Sequence, residues 1–241
     1  MANAPKIAVI AALRREVDDL LSGQTKQIQY LPGSKSPTYI LGELSVTCAG
    51  IGYQAAARVA DAAIQQFRPE LIISVGLAGA LDPTLDVGSL VTPRTVIDAR
   101  SGVTFSTERG EGVLVSAIRI ADTAEKAALR QRYGALAVDM EAAAVAERAL
   151  HYGIPFCAVK SVSDTASTTL PDFTRFVQHD GSFSNTAFLI HLMLRPTLWP
   201  AVRKLAANSA RAAKNLATGL EELLADISYA RSTPGQVLNS R

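Results

Sequence analysis

ALAVDMEAAAVAERALHYGIPFCAVKSVSD, residues 135–164, passes from one apolar segment through an alanine-rich stretch into a second apolar segment. ALAVDM reads as a strand, EAAAVAERALHYG as a helix with Gly153 beyond its end, and PFCAVKSVSD as another strand. Short apolar runs alternating with helices predict an α/β fold whose strands are buried on both faces. Acids close both strands here: Asp139 and Glu141 flank Met140, and Asp164 follows Ser163. A carboxylate beside a core needs a reason. Capping is the simplest, since negative charge near a helix start contributes roughly 0.3–1 kcal/mol.

The same alternation extends outward. KIAVIAAL (6–13) is a strand and REVDDLL follows with Val17, Leu20 and Leu21 at helical spacing. PTYILGEL (37–44) and SVTCAG (45–50) read as paired strands, and GYQAAARVADAAIQQF (52–67) as a helix ended by Pro69. ELIISVGLAGAL (70–81) is expected to be a buried strand running into a glycine turn, and GSLVTPRTVID (88–98) one further strand. Within the less regular segment 99–118, STERGEG reads as a loop between strands; TAEKAALRQRYG (123–134) reads as a polar-faced helix. Two prolines in RPTLWP (195–200) mark a boundary between a domain over 1–194 and a helical extension over 195–241.

Composition narrows the function. The chain has 241 residues, 48% of them hydrophobic and 19% charged, with a formal net charge of +2, which fits neither disorder nor a nucleic-acid partner. Cys48 and Cys157 are far apart with no secretory leader before them, pointing to free, buried thiols and a cytoplasmic location. His151, His179 and His191 lack metal-ligand spacing, so no metal is expected. AFLIHLML (187–194) falls far short of the roughly 20 residues that span a bilayer.

Ligands of α/β sheets gather outside the carboxyl ends of strands. Glu16, Asp139, Glu141 and Asp164 all stand at such ends, and AGIGYQ and VGLAGAL, the latter with Ala78 and Gly79, would let a ligand approach the backbone. Gly50, Gly52 and Ala55 also fit GxGxxA of a dinucleotide fold. The ribose-binding acid of such a fold belongs at the end of the next strand, whereas Glu70 precedes its strand.

IAALRREV, AGIGYQAA, VGLAGAL with a later VGSLV, AVDMEAAAVA and VKSVSD follow one another over residues 6–192 in an order that resembles the purine nucleoside phosphorylase and methylthioadenosine/S-adenosylhomocysteine nucleosidase superfamily. The resemblance implies a single α/β domain around a mixed, partly barrel-like sheet flanked by helices, with no cofactor, cleaving the N-glycosidic bond of a nucleoside, usually as a homo-oligomer such as a dimer. Glu141 then matches the glutamate that binds the ribose hydroxyls, and Met140 the methionine against the sugar. Asp164 matches the acid that protonates purine N7, with Ser163 orienting it. Asp139, alternating to the other side of its strand, is a cap or surface acid. An isolated carboxyl of pKa near 3.9 is protonated in only about one molecule in a thousand at neutral pH, so burial or a neighbour must adjust Asp164.

Glu16 matches the nucleosidase residue that activates water, where many phosphorylases instead hold phosphate, the co-substrate of phosphorolysis. Arg14 and Arg15 are expected to pair with Asp18 and Asp19 one helical turn on, with contact to an anion as the alternative. Leu77 stands where the nucleosidases carry a serine, and Lys160 where they carry an arginine. The segment 99–121 is shorter than theirs and puts Ile120 near the place of their base-stacking phenylalanine, opening the 5′ side of a nucleoside. In the tail, Arg203, Lys204, Arg211 and Lys214 fall opposite Val202, Leu205, Leu216, Leu220 and Leu223, an amphipathic basic helix suited to packing or, with Trp199, to a membrane surface. Together these features resemble the hopanoid-associated phosphorylases, which implies adenosylhopane as substrate, adenine as product and peripheral contact with the inner membrane. A phosphorolytic enzyme, a methylthioadenosine/S-adenosylhomocysteine nucleosidase and a non-catalytic nucleoside- or lipid-binding protein are the alternatives.

Overall fold

The long strand β5, Leu71–Ala80, organises the molecule. A computed structural model of the chain describes residues 4–32, 34, 36–169 and 199–232; AFLIHLML and the stretch 195–198 of the proposed boundary lie outside them. Ten residues of mostly small or β-branched side chains give β5 two buried faces and room for strands on both edges. One edge carries β11 (Phe156–Asp164) in parallel from Ile72 to Gly79. The other is divided: β1 (Ile7–Ala11) runs parallel along Leu71 to Val75, and β10 (Ala137–Asp139) pairs antiparallel with Gly79 and Ala80.

The rest of the mixed sheet, eleven-stranded among the described residues, extends from these neighbours. Beyond β1 lie β4 (Leu44–Cys48), β3 (Pro37–Leu41) and the edge strand β2 (Gln27–Tyr30). Beyond β10 lie β9 (Val113–Ser116), β7 (Thr95–Asp98) and β8 (Thr104–Ser106), while β6 (Leu90–Val91) pairs with β11. Sharing β5 between two wings gives the mixed α/β fold expected from the sequence.

Helices cover the two faces. After a single 3-10 turn, Arg14–Glu16, comes the one-turn helix α1 (Asp18–Leu21). Helix α2 (Tyr53–Phe67) and helix α4 (Ala142–Tyr152) present alanines and Val59, Ile64 and Val145 to one core, where small side chains let helix and sheet approach closely. Helix α3 (Thr123–Tyr133) starts at a capping box in which Asp122 accepts from the Glu125 N–H and Glu125 accepts from the Asp122 N–H. Helix α5 (Trp199–Ser232) covers the second core: Leu216, Leu220, Leu223 and Ile227 are buried with Ile7, Val9, Ile73, Val75, Cys157 and Val159. Arg203, Lys204, Arg211 and Lys214 remain exposed, as the helix periodicity predicts. Among the described residues no helix is long and apolar enough to cross a membrane.

Three local expectations change. The glycine turn expected in VGLAGAL is strand: β5 continues through Gly76 and Gly79 to Ala80, because β11 pairs with it throughout. GSLVTPRTVID holds two strands, β6 and β7, separated by a stretch that contains Pro93. Strand β2 lacks an apolar run and forms by antiparallel pairing with β3. Cys48 and Cys157 are free and buried, and burial pushes the Cys48 thiol up to about 12.

Docking of α5 through its leucines predicts that Leu220→Ala will destabilise the protein by about 2–5 kcal/mol, the usual cost of emptying a buried leucine site. Lys214→Ala, on the exposed face, should change stability by no more than about 0.5 kcal/mol. Urea unfolding of the two variants separates a docked helix from a loosely attached one.

Candidate active site

Between Val75, where β1 stops pairing, and Gly79, where β10 begins, the free edge of β5 is open. Glu16 reaches into this gap from the 3-10 turn that follows β1. Its Oε1 accepts the Leu77 N–H at 3.3 Å, and its Oε2 accepts the N–H groups of Ala12 and Leu13, each at 2.9 Å. A Cβ at position 76 would stand 3.3 Å from Oε2, so Gly76 makes room for the carboxylate. Glu16 is only 6% exposed. Burial raises its pKa above the ordinary glutamate value, against the opposing pull of the backbone donors and of Lys160.

Glu141 precedes α4 and joins two loops. Its Oε1 accepts the Gly52 N–H at 2.7 Å and its Oε2 the Met140 N–H at 3.3 Å. The carboxyl is pushed up to about 7, first by burial and next by the charge of Asp139, with Lys160 and the Gly52 N–H acting against them. Met140 is half-buried beside it.

Asp139 caps α4 as expected, accepting the Ala142 N–H at 2.9 Å, but it is no surface acid. It is buried, accepts the Ser116 hydroxyl at 2.5 Å, and pairs with Lys160 Nζ at 2.9 Å. Alternation along β10 turns this side chain into a second buried face. Lys160 is 1% exposed and also donates to Ser74 Oγ at 3.0 Å. Burial disfavours its charge, yet Asp139, Glu141 and Glu16 outweigh that and raise its pKa. Lys160 is the cation among three buried or half-buried carboxylates.

Asp164 ends β11 opposite Gly79, where a register shift between Val162 and Asp164 sets Ser163 out of the regular ladder. Asp164 is 3% exposed; its Oδ1 accepts the Ser163 hydroxyl at 2.7 Å, and Ser163 Oγ also lies 3.3 Å from the Ala78 carbonyl. Its Oδ2 is paired with Lys126 Nζ, which donates as well to the Thr165 carbonyl at 2.8 Å. A Cβ on Gly79 would lie 3.1 Å from Asp164 Oδ2 and 3.3 Å from Lys126 Cε. Gly79 therefore admits these two side chains to the backbone. Ile120 is half-buried in the connection from β9 to α3.

Glu16, Glu141, Asp139 and Lys160 thus form one electrostatic group, and Asp164, Ser163 and Lys126 form another at the end of β5. Gly76 and Gly79, which touch the two groups, are about 10 Å apart along a strand. Lys126 and the Asp139–Lys160 pair were not singled out from the sequence. The signal for Lys126 was its place on one stripe of α3 with Leu129 and Tyr133, where a core residue would be expected. Arg14 pairs with Asp18 at 2.5 Å, as its spacing predicts, and lies over the Tyr39 ring at 4.3 Å.

Comparison with known proteins places this arrangement in context. The chain is 27% identical over 231 aligned residues to a 5′-methylthioadenosine/S-adenosylhomocysteine nucleosidase of Shewanella baltica, covering 78% of this chain and 96% of that protein. It is 29% identical to the same-named enzyme of Lysinibacillus sphaericus, covering 67% and 86%. Among solved structures, futalosine hydrolase of Helicobacter pylori matches with a TM-score of 0.69 at 18% identity, over 92% of this chain and 98% of that one. The Neisseria meningitidis 5′-methylthioadenosine/S-adenosylhomocysteine nucleosidase in complex with methylthio-immucillin-A matches with a TM-score of 0.67 at 20% identity, over 90% and 97%. The profile of the Phosphorylase superfamily matches residues 6–119 and 111–190, and the chain belongs to that superfamily.

Proposed function

We propose that this protein hydrolyses the N-glycosidic bond of a purine nucleoside and releases the free base. The seat of Glu16 carries this reading. The backbone N–H groups of Ala12, Leu13 and Leu77 would suit an inorganic anion, but they are taken by a carboxylate of the chain itself. A carboxylate held there with its pKa raised can accept a proton from an attacking water. The names of the 27–29% identical relatives, nucleosidases, support hydrolysis over phosphorolysis.

In this mechanism Glu141 holds the ribose hydroxyls. Positive charge grows on the sugar as the bond to the base breaks, so a fixed carboxylate beneath it favours the transition state more than the ground state. Met140 packs on the sugar. Asp164, oriented by Ser163, protonates purine N7 beside Ala78 and Gly79, with Ile120 along the base. No cofactor takes part.

The substrate we place first is adenosylhopane, with adenine as the product. The short 99–121 segment and the exposed basic residues of α5 support a nucleoside with a large apolar 5′ group, met at an anionic membrane surface by a homodimeric enzyme. Burying apolar area contributes about 25 cal/mol per Å², so a polycyclic substituent gains several kcal/mol over a methylthio group. Methylthioadenosine is the second reading, favoured by the named relatives.

Asp164→Asn and Glu141→Gln should each lower kcat/KM about 100-fold or more, and adenine release should proceed without phosphate. Wild-type rates in both variants would overturn the roles given to Asp164 and Glu141; no adenine release by the wild-type protein would point to a non-catalytic binder, and a strict requirement for phosphate would establish phosphorolysis. Competition between adenosylhopane and methylthioadenosine in mixed vesicles tests the 5′ group, and equal preference would exclude the hopanoid substrate.

Glu141 must be ionised to serve the ribose, and its pKa near 7 predicts that kcat/KM falls about tenfold per pH unit below about 7. Removing the Asp139 charge in Asp139→Asn should move this limb to lower pH. The same raised value makes the Glu141 contribution to stability fully present below the ordinary value of 4.5 and lost as pH rises through about 7. A pH–rate profile of each protein checks the limb.

A further inference from the structure

We propose that Lys126 supplies the proton that Asp164 delivers to the purine, and fixes Asp164 for that transfer. This inference rests on the reading of Asp164 as the N7 proton donor. Both oxygens of Asp164 accept hydrogen bonds, Oδ1 from the Ser163 hydroxyl and Oδ2 from the Lys126 ammonium. In its ion pair with the Lys126 ammonium, Asp164 holds no proton of its own to give. The proton must come from a donor already attached to it. A serine hydroxyl does not give up its proton near neutral pH, whereas an ammonium becomes a neutral amine on doing so.

The placement suits this role. Lys126 is 2% exposed, is carried by a capped helix 38 positions away in sequence, and is anchored by a second bond to the Thr165 carbonyl. Two of its three N–H donors are taken by these bonds. Gly79 removes the side chain that would separate the pair from β5.

The transfer balances. An N–H bond of Lys126 breaks as an O–H bond forms at Asp164 Oδ2, and that proton passes to N7 while the C1′–N9 electron pair stays with the base. Lys126 is left neutral, Asp164 is again a carboxylate, and the base leaves uncharged. The water that attacks C1′ gives its proton to Glu16. Release of that proton to solvent and uptake of one by Lys126 restore the enzyme.

Lys126 acts through Asp164 as a positioning residue, so its test needs a substrate that requires no proton on departure. 4-Nitrophenyl β-D-ribofuranoside provides one, since nitrophenolate leaves as a stable anion, and methylthioadenosine serves as the purine probe. Lys126→Met should lower kcat/KM for methylthioadenosine about 100-fold and for the nitrophenyl riboside less than about threefold. Lys126→Arg keeps the positive charge and cannot release its proton, so it should behave like Lys126→Met. Lys126→Met combined with Asp164→Asn should be no slower than Asp164→Asn alone, because the two residues act in one step. Equal losses on both substrates would reduce Lys126 to a structural role, and full methylthioadenosine activity in Lys126→Arg would exclude it as the proton source. If Lys126→Met does not fold, Lys126→Arg and Lys126→Gln decide the same question. Full activity of Asp164→Asn would instead defeat the underlying assignment of Asp164.

Discussion

Among the described residues the Leu77 N–H has no strand to bond to, because β1 has stopped pairing at Val75 and β10 begins only at Gly79. A backbone donor shielded from water and left unpaired is costly, and this half-buried one is satisfied by Glu16. That requirement draws a carboxylate into the middle of the fold. The gap in pairing is in turn the consequence of fitting a parallel and an antiparallel neighbour on one edge of β5. The division of the sheet into two wings and the position of a buried acid between them are one geometric fact.

A buried acid brings its own demand for charge. Glu16, Asp139 and Glu141 would repel one another if all were ionised in a low-dielectric interior. Lys160 moderates this, paired directly with Asp139 and acting on both glutamates through space. An arginine would spread its charge over a planar fork, whereas the compact ammonium here fits between Ser74 and Asp139. Further along β5, beside Gly79, Lys126 is the cation paired with Asp164. Each buried group of acids has its own lysine, one carried by a strand and the other by a helix.

Much of this was legible in the sequence. The strand–helix–strand reading of residues 135–164 emerges as β10, α4 and β11, since β-rich runs and an alanine-rich segment leave little ambiguity of period. Asp164 and Glu141 were legible only through their places in VKSVSD and AVDMEAAAVA, since an acid at a strand end is otherwise explained as a cap. Gly76 and Gly79 were read as a turn, the usual use of glycine, when their use is to let carboxylates approach a continuing strand. Strand β2 was missed because QIQY is short and exposed, stabilised by its partner more than by its own residues. Asp139 looked superficial because alternation says which side a residue faces, not whether that side meets water. Lys126 lies on a helix whose sequence reads as polar-faced, and the packing of α3 shows that its stripe faces inward.

The contribution of α5 to the second core has a further consequence for synthesis. Ile7 and Val9 of β1 are buried with Leu220 and Ile227, more than two hundred residues later in the chain. A ribosome making this protein at about 5–20 residues per second therefore leaves that apolar surface uncovered for roughly ten seconds or more. During that interval the nascent sheet presents sticky, half-finished surface to its surroundings. Helix α5 acts as a late closing piece for this core, which makes its synthesis, and not that of the early strands, the point at which this surface escapes aggregation.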